Sequence, residues 1–273
     1  MADVHDFFAE AEARQSRLLK RLAVAPVVEV AGVVGATGPG GSQLAQEKLW
    51  TVSFHFEAWR IIGSTLRTQP LTLLRKVTDE ELHRWQNLIQ PYGVFRVQAR
   101  VENSDALLEA FVGSDPADKE LQAHSTQLQK PVTFEHPPFG TFTLDRRVDF
   151  FTAAVYWENS PISLNLSGKE SQDVEAALKV AHTLWRNQGD WNRRIRDYAV
   201  EKLLPLKNEA WLDEDENELS PDEFQQRMTL TAITIYADDS FEFWHNDGDL
   251  FLGHSIQISG TLSEGPTDAD IPG

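Results

Sequence analysis

The sequence predicts an α+β protein of two domains. Its strand-like and helix-like segments come in groups and do not alternate strictly, which is typical of a largely antiparallel sheet with helices packed on one face. A length of 273 residues fits two ordinary domains, and 8 Trp and 15 Phe supply large apolar side chains for their cores. The pattern changes at the Pro-rich run 130–138, so we place an N-terminal domain at 1–135 and a C-terminal domain at 136–273.

The first 49 residues predict a helix, a strand and a glycine-rich linker. Phe7–Leu22 has the apolar spacing of an amphipathic helix, and Ala25–Val34 is rich in β-branched residues. Gly35–Ser42 is similar to the phosphate-binding pattern G-x-x-x-x-G-K-[ST]. However, Gly41 stands in place of the lysine, and Pro39 has no amide hydrogen to donate. We therefore interpret this segment as a linker.

The rest of the N-terminal domain predicts further strands and helices. Trp50–Phe56 and Val94–Glu102 alternate apolar and polar residues, the period of a half-buried strand. Thr78–Glu81 is a capping box at the start of a helix. A strand at Leu107–Gly113 and a helix at Pro116–Leu128 complete this domain.

The C-terminal domain predicts strands, then helices, then strands again. Helical spacing occurs on both sides of Gly189, which ends one helix, and Ser220–Glu223 is a second helix start signal. The predicted strands are Phe139–Leu144, Phe150–Trp157, Ile162–Leu166, Leu230–Tyr236, Ser240–Trp244 and Ser255–Leu262.

Composition and charge restrict the class of protein. The absence of cysteine excludes disulfides, thiolate metal sites and cysteine nucleophiles. The chain starts with acidic residues, and it has no apolar run of about 18 residues, so we expect a soluble cytoplasmic protein without a membrane partner. The net charge is −17, and Pro205–Gly273 holds 16 acidic and two basic residues. This charge leads us to expect a basic protein partner and no nucleic-acid partner.

An acidic run follows the predicted helices. Asp213, Glu214, Asp215 and Glu216 lead toward the helix start at 220. The run is similar to the start of an EF-hand loop, but Glu218 stands where that loop requires glycine, so a standard EF-hand is excluded. We interpret the four residues as a candidate face for a basic partner, with a looser divalent-cation site or a solvated loop as the alternatives.

A second candidate site lies between two predicted strands. His245, Asp247, Asp249 and His254 place two imidazoles and two carboxylates within ten residues, groups that bind divalent metals or transfer protons. The motifs H-E-x-x-H and G-x-S-x-G are absent. The segment Asn246–Asp249 also has the composition of an ordinary turn, so a functional site and a structural turn both stay open.

Several separated motifs of the C-terminal half resemble one known family. The half resembles the bacterial family called domain of unknown function 2262, in the same order along the chain. The matching segments are Phe139–Arg146, Asn208–Leu212, Ser220–Phe224, Asp247–Ile256 and Asp268–Gly273. The resemblance carries no activity, substrate or catalytic residue with it.

Three functional hypotheses follow. The first is a non-catalytic acidic module, of immunity or antitoxin type, that binds a basic protein. The second is a divalent-metal enzyme or metal-binding protein that uses His245, Asp247, Asp249 and His254. The third is a small-ligand sensor with its ligand between the two domains. We expect no cofactor other than a divalent cation, and the sequence leaves the oligomeric state open.

Overall fold

The computed structural model describes residues 4–44, 47–168, 171–212 and 217–273, and the side chains from 13 onward within these ranges. The chain forms two compact units, Met1–Lys130 and Pro131–Gly273. Each unit combines helices with strands, so the chain belongs to the α+β class that the sequence predicts. Within the described ranges, no helix is both long and apolar enough to cross a membrane.

The first unit contains six strands and three helices in its described residues. Its elements are α1 (Val4–Leu22), β1 (Val27–Val34), β2 (Gly40–Ser42), β3 (Trp50–Ile61), β4 (Leu71–Val77), α2 (Asp79–Leu88), β5 (Val94–Glu102), β6 (Asp105–Ser114) and α3 (Lys119–Leu128).

Five of these strands close into a barrel. Strand β1 pairs with β3 on one side and with β5 on the other, and the ring continues through β6 and β4. The β4–β6 pair is parallel, while the other four pairs of the ring are antiparallel. A closed five-stranded ring with the order β1-β3-β4-β6-β5 and a helix before the fourth barrel strand has the topology of an OB-fold.

Apolar side chains fill the barrel, and a helix covers part of its wall. Phe54, Phe56 and Leu73 point inward, and each is at most 2% exposed. Gly32 of β1 lies against the ring of Phe56, because a Cβ atom there would lie 2.3 Å from Cγ of Phe56. Leu121 of α3 packs against a small apolar cluster on β1, β3 and β5. The barrel is therefore packed closely around its first strand.

The second unit contains eight strands and three helices in its described residues. Its elements are β7 (Thr133–His136), β8 (Gly140–Asp145), β9 (Phe150–Trp157), β10 (Ser160–Ser167), α4 (Ser171–Arg186), α5 (Gln188–Ala210), α6 (Pro221–Arg227), β11 (Thr229–Ile235), β12 (Ser240–Asn246), β13 (Ser255–Thr261) and β14 (Gly265–Asp270).

These strands form one sheet in sequence order from β7 to β14. Two antiparallel meanders, β7–β10 and β11–β14, meet at a parallel pair between β10 and β11. Leu164, Ile233, Phe243 and Ile258 lie on one face of the sheet and form a core with buried residues of the helices, among them Ala181. The sheet is therefore covered by helices on one face, as the sequence predicts.

The structure corrects several sequence interpretations. The glycine-rich segment is not only a linker, because Gly40–Ser42 pairs with β3, and a Cβ on Gly41 would lie 2.6 Å from Leu82. Strands β4, β7 and β14 were not predicted, since none of them shows a clear apolar alternation. Because β7 lies in the Pro-rich run and pairs with β8, the second unit begins at Pro131, five residues before the expected boundary.

Gly32 offers a test of the packing in the barrel. We expect Gly32→Ala to lower the free energy of unfolding by about 1–3 kcal/mol, because the new methyl group overlaps the Phe56 ring. The matched control is Gly113→Ala in β6, where no atom lies within 4 Å of the added Cβ, and it should stay within about 0.5 kcal/mol of the wild type. Urea unfolding measures both, and equal losses would contradict the close contact at Gly32.

Candidate functional site

The four His and Asp residues singled out in the sequence lie at the connection between β12 and β13, with His245 in β12 and the other three in the loop that follows it. Strand β12 ends at Asn246 and β13 begins at Ser255, and the two strands pair directly beside this loop. His245 is the last buried residue of β12, and Asp247 is the first residue after the strand. The loop is therefore anchored at both ends by one antiparallel pair.

The Asp247 carboxylate organises the loop. This side chain is only 1% exposed. Its Oδ2 atom accepts hydrogen bonds from the amides of Phe251 at 2.7 Å and Gly253 at 3.1 Å, and its Oδ1 atom accepts one from Asp249 at 3.3 Å. One carboxylate therefore provides the hydrogen-bond acceptor for three backbone amides of the loop. Asp247 thus has a structural role in the turn.

The backbone of the loop needs residues that tolerate positive φ. Gly248, Asp249, Leu252 and Gly253 have φ values of 55°, 65°, 57° and 86°. A Cβ atom on Gly248 would lie 2.5 Å from the carbonyl oxygen of Arg227, so only glycine fits there. This geometry explains why the loop has the composition of a turn.

The loop also inserts apolar side chains into the core. Leu250 and Phe251 are at most 1% exposed, and the Phe251 ring contacts Trp211 and Phe224 edge to face at centroid distances of 5.5 and 6.2 Å. Leu252, in contrast, is 76% exposed at the tip. The loop therefore closes one side of the core and presents a single apolar residue to solvent.

The two histidines occupy different surroundings. His245 is 2% exposed, and burial, together with the charge of Arg196, lowers its pKa to about 4, so the ring is neutral at physiological pH. His254 is half-buried and lies edge to face against Trp211 at 5.9 Å. The Nδ1 atoms of both rings are buried without a hydrogen-bond partner among the described residues.

For the other predicted site residues, the structure shows no ligand-binding arrangement among the described residues. The Asp249 side chain is exposed, and its carboxylate accepts no hydrogen bond within the described part of the chain. The acidic run Asp213, Glu214, Asp215 and Glu216 lies outside the described residues. Across residues 4–44, 47–168, 171–212 and 217–273, no three His, Asp or Glu residues are grouped closely enough to hold a metal ion.

Two further polar clusters were missed in the sequence. His136 of β7 and His182 of α4 face each other with their Nε2 atoms 2.9 Å apart, and burial and the neighbouring His136 lower the pKa of His182. On the face of the sheet opposite the helices, Glu242 accepts hydrogen bonds from Tyr236 and Trp244, both at 3.0 Å. Neither cluster has a sequence signal, because His136 and His182 lie in different elements and Tyr236 meets Glu242 only when β11 pairs with β12.

Family models match both halves of the chain. Residues 136–271 match the family described as uncharacterized protein conserved in bacteria, DUF2262, as the sequence resemblance predicted. Residues 14–128 match a second family, described as domain of unknown function DUF7021. No curated protein matches this chain.

Some solved structures show a distant likeness. A small single-stranded DNA-binding protein from Streptomyces coelicolor is 18% identical, with 34% of this chain and 94% of that chain covered and a TM-score of 0.25. A deletion mutant of the single-stranded DNA-binding protein from Thermus aquaticus is 12% identical, with coverages of 51% and 73% and a TM-score of 0.22. A murine DNA-binding protein bound to double-stranded DNA is 9% identical, with coverages of 52% and 77% and a TM-score of 0.19.

These likenesses correct one expectation from the sequence. The exclusion of a nucleic-acid partner is wrong, since the solved structures that this chain is similar to include single-stranded DNA-binding proteins. The exclusion rested on the net charge of −17 and on the acidic segment Pro205–Gly273, whereas Met1–Lys130 carries 14 basic and 16 acidic residues, a net charge of only −2. At these TM-scores the likenesses do not assign nucleic-acid binding to this chain.

The role of Asp247 predicts a large loss of stability on substitution. Asp247→Ala removes the acceptor of three backbone amides, and we expect the free energy of unfolding to fall by at least about 3 kcal/mol. The control Asp249→Asn changes the neighbouring exposed carboxylate and should stay within about 0.5 kcal/mol of the wild type. Denaturant unfolding measures both variants, and a small effect at Asp247 would show that the loop does not depend on it.

The buried His245 predicts a loss of stability in acid. Its pKa is about 4 in the folded chain against an ordinary value of 6.5, so the unfolded chain binds more protons between these values. The contribution is fully present above about pH 6.5 and is lost as the pH falls toward about 4, by roughly 3 kcal/mol in total. His245→Gln should reduce the difference between unfolding free energies at pH 7 and pH 5, while the control His254→Asn should retain most of it.

Proposed function

We propose that this chain, which belongs through its C-terminal half to the bacterial family DUF2262, is a non-catalytic module that binds a basic protein partner. The observation that carries the proposal is the face of the eight-stranded sheet opposite the helices. This surface, which we call the polar face, is made of the side chains that alternate with the buried ones on β9–β14.

The register of the strands brings polar residues into one row across the polar face. Asp268 lies opposite Ser259, Ser259 opposite Glu242, and Glu242 opposite Thr234. The row continues through Asn165, whose side chain accepts a hydrogen bond from Thr152 at 3.0 Å. Directly opposite residues share one face of a sheet, so these side chains form a continuous surface.

The charges of the polar face are all of one sign. None of the eight strands described here contains a Lys or Arg residue. Glu242, Asp268 and Asp270 place carboxylates on the polar face of β12 and β14, and the two aspartates are exposed. The second unit as a whole carries 11 basic and 26 acidic residues, a net charge of −15. A partner with a basic surface is complementary to such a face.

Aromatic side chains accompany these carboxylates. Tyr236 and Trp244 donate hydrogen bonds to Glu242, and burial together with this carboxylate raises the pKa of Tyr236 to about 12. Tyr156, on the same face of β9, is 70% exposed. Aromatic residues held in place beside polar groups are enriched at protein interfaces, and their faces attract Lys and Arg side chains. This combination favours protein binding over a face that serves only solubility.

A charge-reversal experiment tests the proposal. A tagged full-length chain captures partners from a native bacterial lysate at low and moderate salt, and the main partner is then purified for affinity measurements. We expect a basic partner whose affinity falls with salt. The double variant Asp268→Lys and Asp270→Lys should bind it at least about tenfold more weakly.

The matched control changes the net charge by the same amount on the helices. Glu175→Lys with Glu201→Lys alters exposed residues of α4 and α5 and should leave the affinity within about twofold. Equal losses in both double variants would show that only net charge matters. A partner without excess positive charge, or an affinity that does not change with salt, would contradict the proposal.

The alternative function is divalent-cation binding at the loop between β12 and β13. It is favoured by the two buried Nδ1 atoms of His245 and His254 that have no partner within the described residues. Addition of Zn²⁺ or Mn²⁺ should then raise the melting temperature, and His254→Ala should abolish this rise. Unchanged melting with Ca²⁺, Mg²⁺, Mn²⁺ and Zn²⁺ would contradict this alternative.

A further inference from the structure

A second binding site is suggested by a pocket in the first unit, independent of the polar face. The pocket lies where the segment between β3 and β4 meets the turn between β5 and β6, and its volume is about 640 Å³. The parallel pairing of β4 with β6 brings the two segments together, because Thr72 lies beside Asp105. Pockets of small-molecule sites have volumes of about 300–1,000 Å³.

The walls of this pocket are held by backbone hydrogen bonds. Trp59 and Arg67 exchange two of them, at 2.9 and 2.8 Å, and Nε1 of Trp59 donates to the carbonyl oxygen of Gln69 at 2.9 Å. On the other side, the amide of Thr72 donates to the carbonyl oxygen of Ser104 at 2.8 Å. The pocket is therefore formed before any ligand binds, which lowers the entropic cost of binding.

The only charged residue that lines the pocket is Arg67. Its guanidinium group lies 4.6 Å above the centre of the Trp59 ring. No ion pair of Arg67 occurs among the described residues, and no carboxylate lines the pocket, although the chain carries a net charge of −17. Arg67 is exposed, and its guanidinium lies over the Trp59 ring without a hydrogen bond to any other described residue, so its N–H groups are accessible to a ligand.

Neutral hydrogen-bonding groups surround this arginine. The side chains of Thr68, Gln69, Asn103 and Ser104 line the same pocket, and they make no hydrogen bond within the part of the chain that the structure describes. Two hydroxyl residues and two amide residues thus line the pocket beside one guanidinium, and all four are exposed and accessible to a ligand. A guanidinium binds a phosphate group through two parallel hydrogen bonds, and amide side chains pair with the edges of nucleobases.

We propose that this pocket binds a nucleotide, with its phosphate on Arg67 and with Gln69 and Asn103 toward its base. The ligand is either a free nucleotide or one nucleotide of a single strand. Both carry a phosphate that is joined through a sugar to a base. The buried Trp59 is 2% exposed, so it serves as the floor under Arg67 and not as a stacking surface for the base. This site lies in the unit that is nearly neutral, and it does not depend on the proposed partner of the second unit.

The test is calorimetric titration of the full-length chain with three probes. These are inorganic phosphate, adenosine monophosphate and a single-stranded oligothymidylate. We expect saturable binding of adenosine monophosphate or of the oligonucleotide. Binding of the mononucleotide identifies a free nucleotide as the ligand, whereas binding of the oligonucleotide alone identifies a single strand.

Variants of Arg67 test whether the ligand binds in this pocket. Arg67→Gln should weaken binding at least about tenfold, because the bidentate contact is lost. Arg67→Lys keeps the charge without the planar fork and should also bind more weakly. The control Arg17→Gln removes an equal charge from an exposed position of α1 and should bind like the wild type. Circular dichroism confirms that each variant is folded.

Three outcomes would overturn the proposal. The first is the absence of saturable binding for both nucleotide probes, including the case in which inorganic phosphate alone binds. The second is equal weakening by Arg67→Gln and Arg17→Gln, which would indicate a general effect of charge. The third is unchanged binding in both Arg67 variants, which would place the ligand elsewhere on the chain.

Discussion

The parallel pairing of β10 with β11 is the constraint on which the second unit depends. Two neighbouring parallel strands cannot be joined by a tight turn. The chain must return from the end of the first strand to the opposite end of the sheet, where the second strand begins. Here this crossover runs through α4, α5 and α6. Because these helices pack on one face, the two meanders share a single apolar core, and no described helix of this unit packs on their other face.

Because the helices cover one face of the sheet, side chains along each strand of the second unit alternate between the core and the polar face. Phe243 points toward the helices, whereas its neighbours Glu242 and Trp244 point to the polar face. The loop between β12 and β13 completes the apolar side by inserting Phe251 next to Trp211. The Asp247 carboxylate makes this insertion possible, because it satisfies the amides of a backbone that forms no regular structure.

The two units differ in whether their sheets have unpaired edge strands, which can pair with another chain. The barrel of the first unit joins β1 to both β3 and β5, so its five-membered ring has no free edge. The sheet of the second unit ends at β7 and β14, and β14 carries Asp268 and Asp270. Charged residues on an edge strand discourage pairing with another chain. The unit whose sheet has open edges carries a net charge of −15, whereas the unit with the closed barrel is close to neutral.

Local patterns in the sequence determined much of the secondary structure. The predicted capping box forms at Thr78 with Glu81, and the predicted helix start at Ser220 forms another with Glu223, because each needs only residues within one helical turn. The strict alternation of Val94–Glu102 became β5 over the same residues, and the fold class was also predicted correctly. The family resemblance of the C-terminal half was likewise readable from the sequence alone.

Other strands could not be predicted, because their stability comes from partners far along the chain. Gly40–Ser42 and Gly265–Asp270 have no apolar alternation, and each is a strand only because β3 or β13 offers a hydrogen-bonding edge. Leu71–Val77 has apolar residues on both faces, since it lies between two barrel strands. Closure of the barrel itself depends on pairs such as Val30 with Ile61, which are distant in sequence.

The candidate sites show the same division. The sequence alone determined that His245, Asp247, Asp249 and His254 lie near one another at the connection between two strands, because they are close in the chain. Only the tertiary structure decided that the Asp247 carboxylate is buried under three amides, and that the pocket beside Arg67 contains residues from two segments. The physical reason is that burial and hydrogen bonding depend on the neighbours that each group acquires on folding, and local sequence does not specify those neighbours.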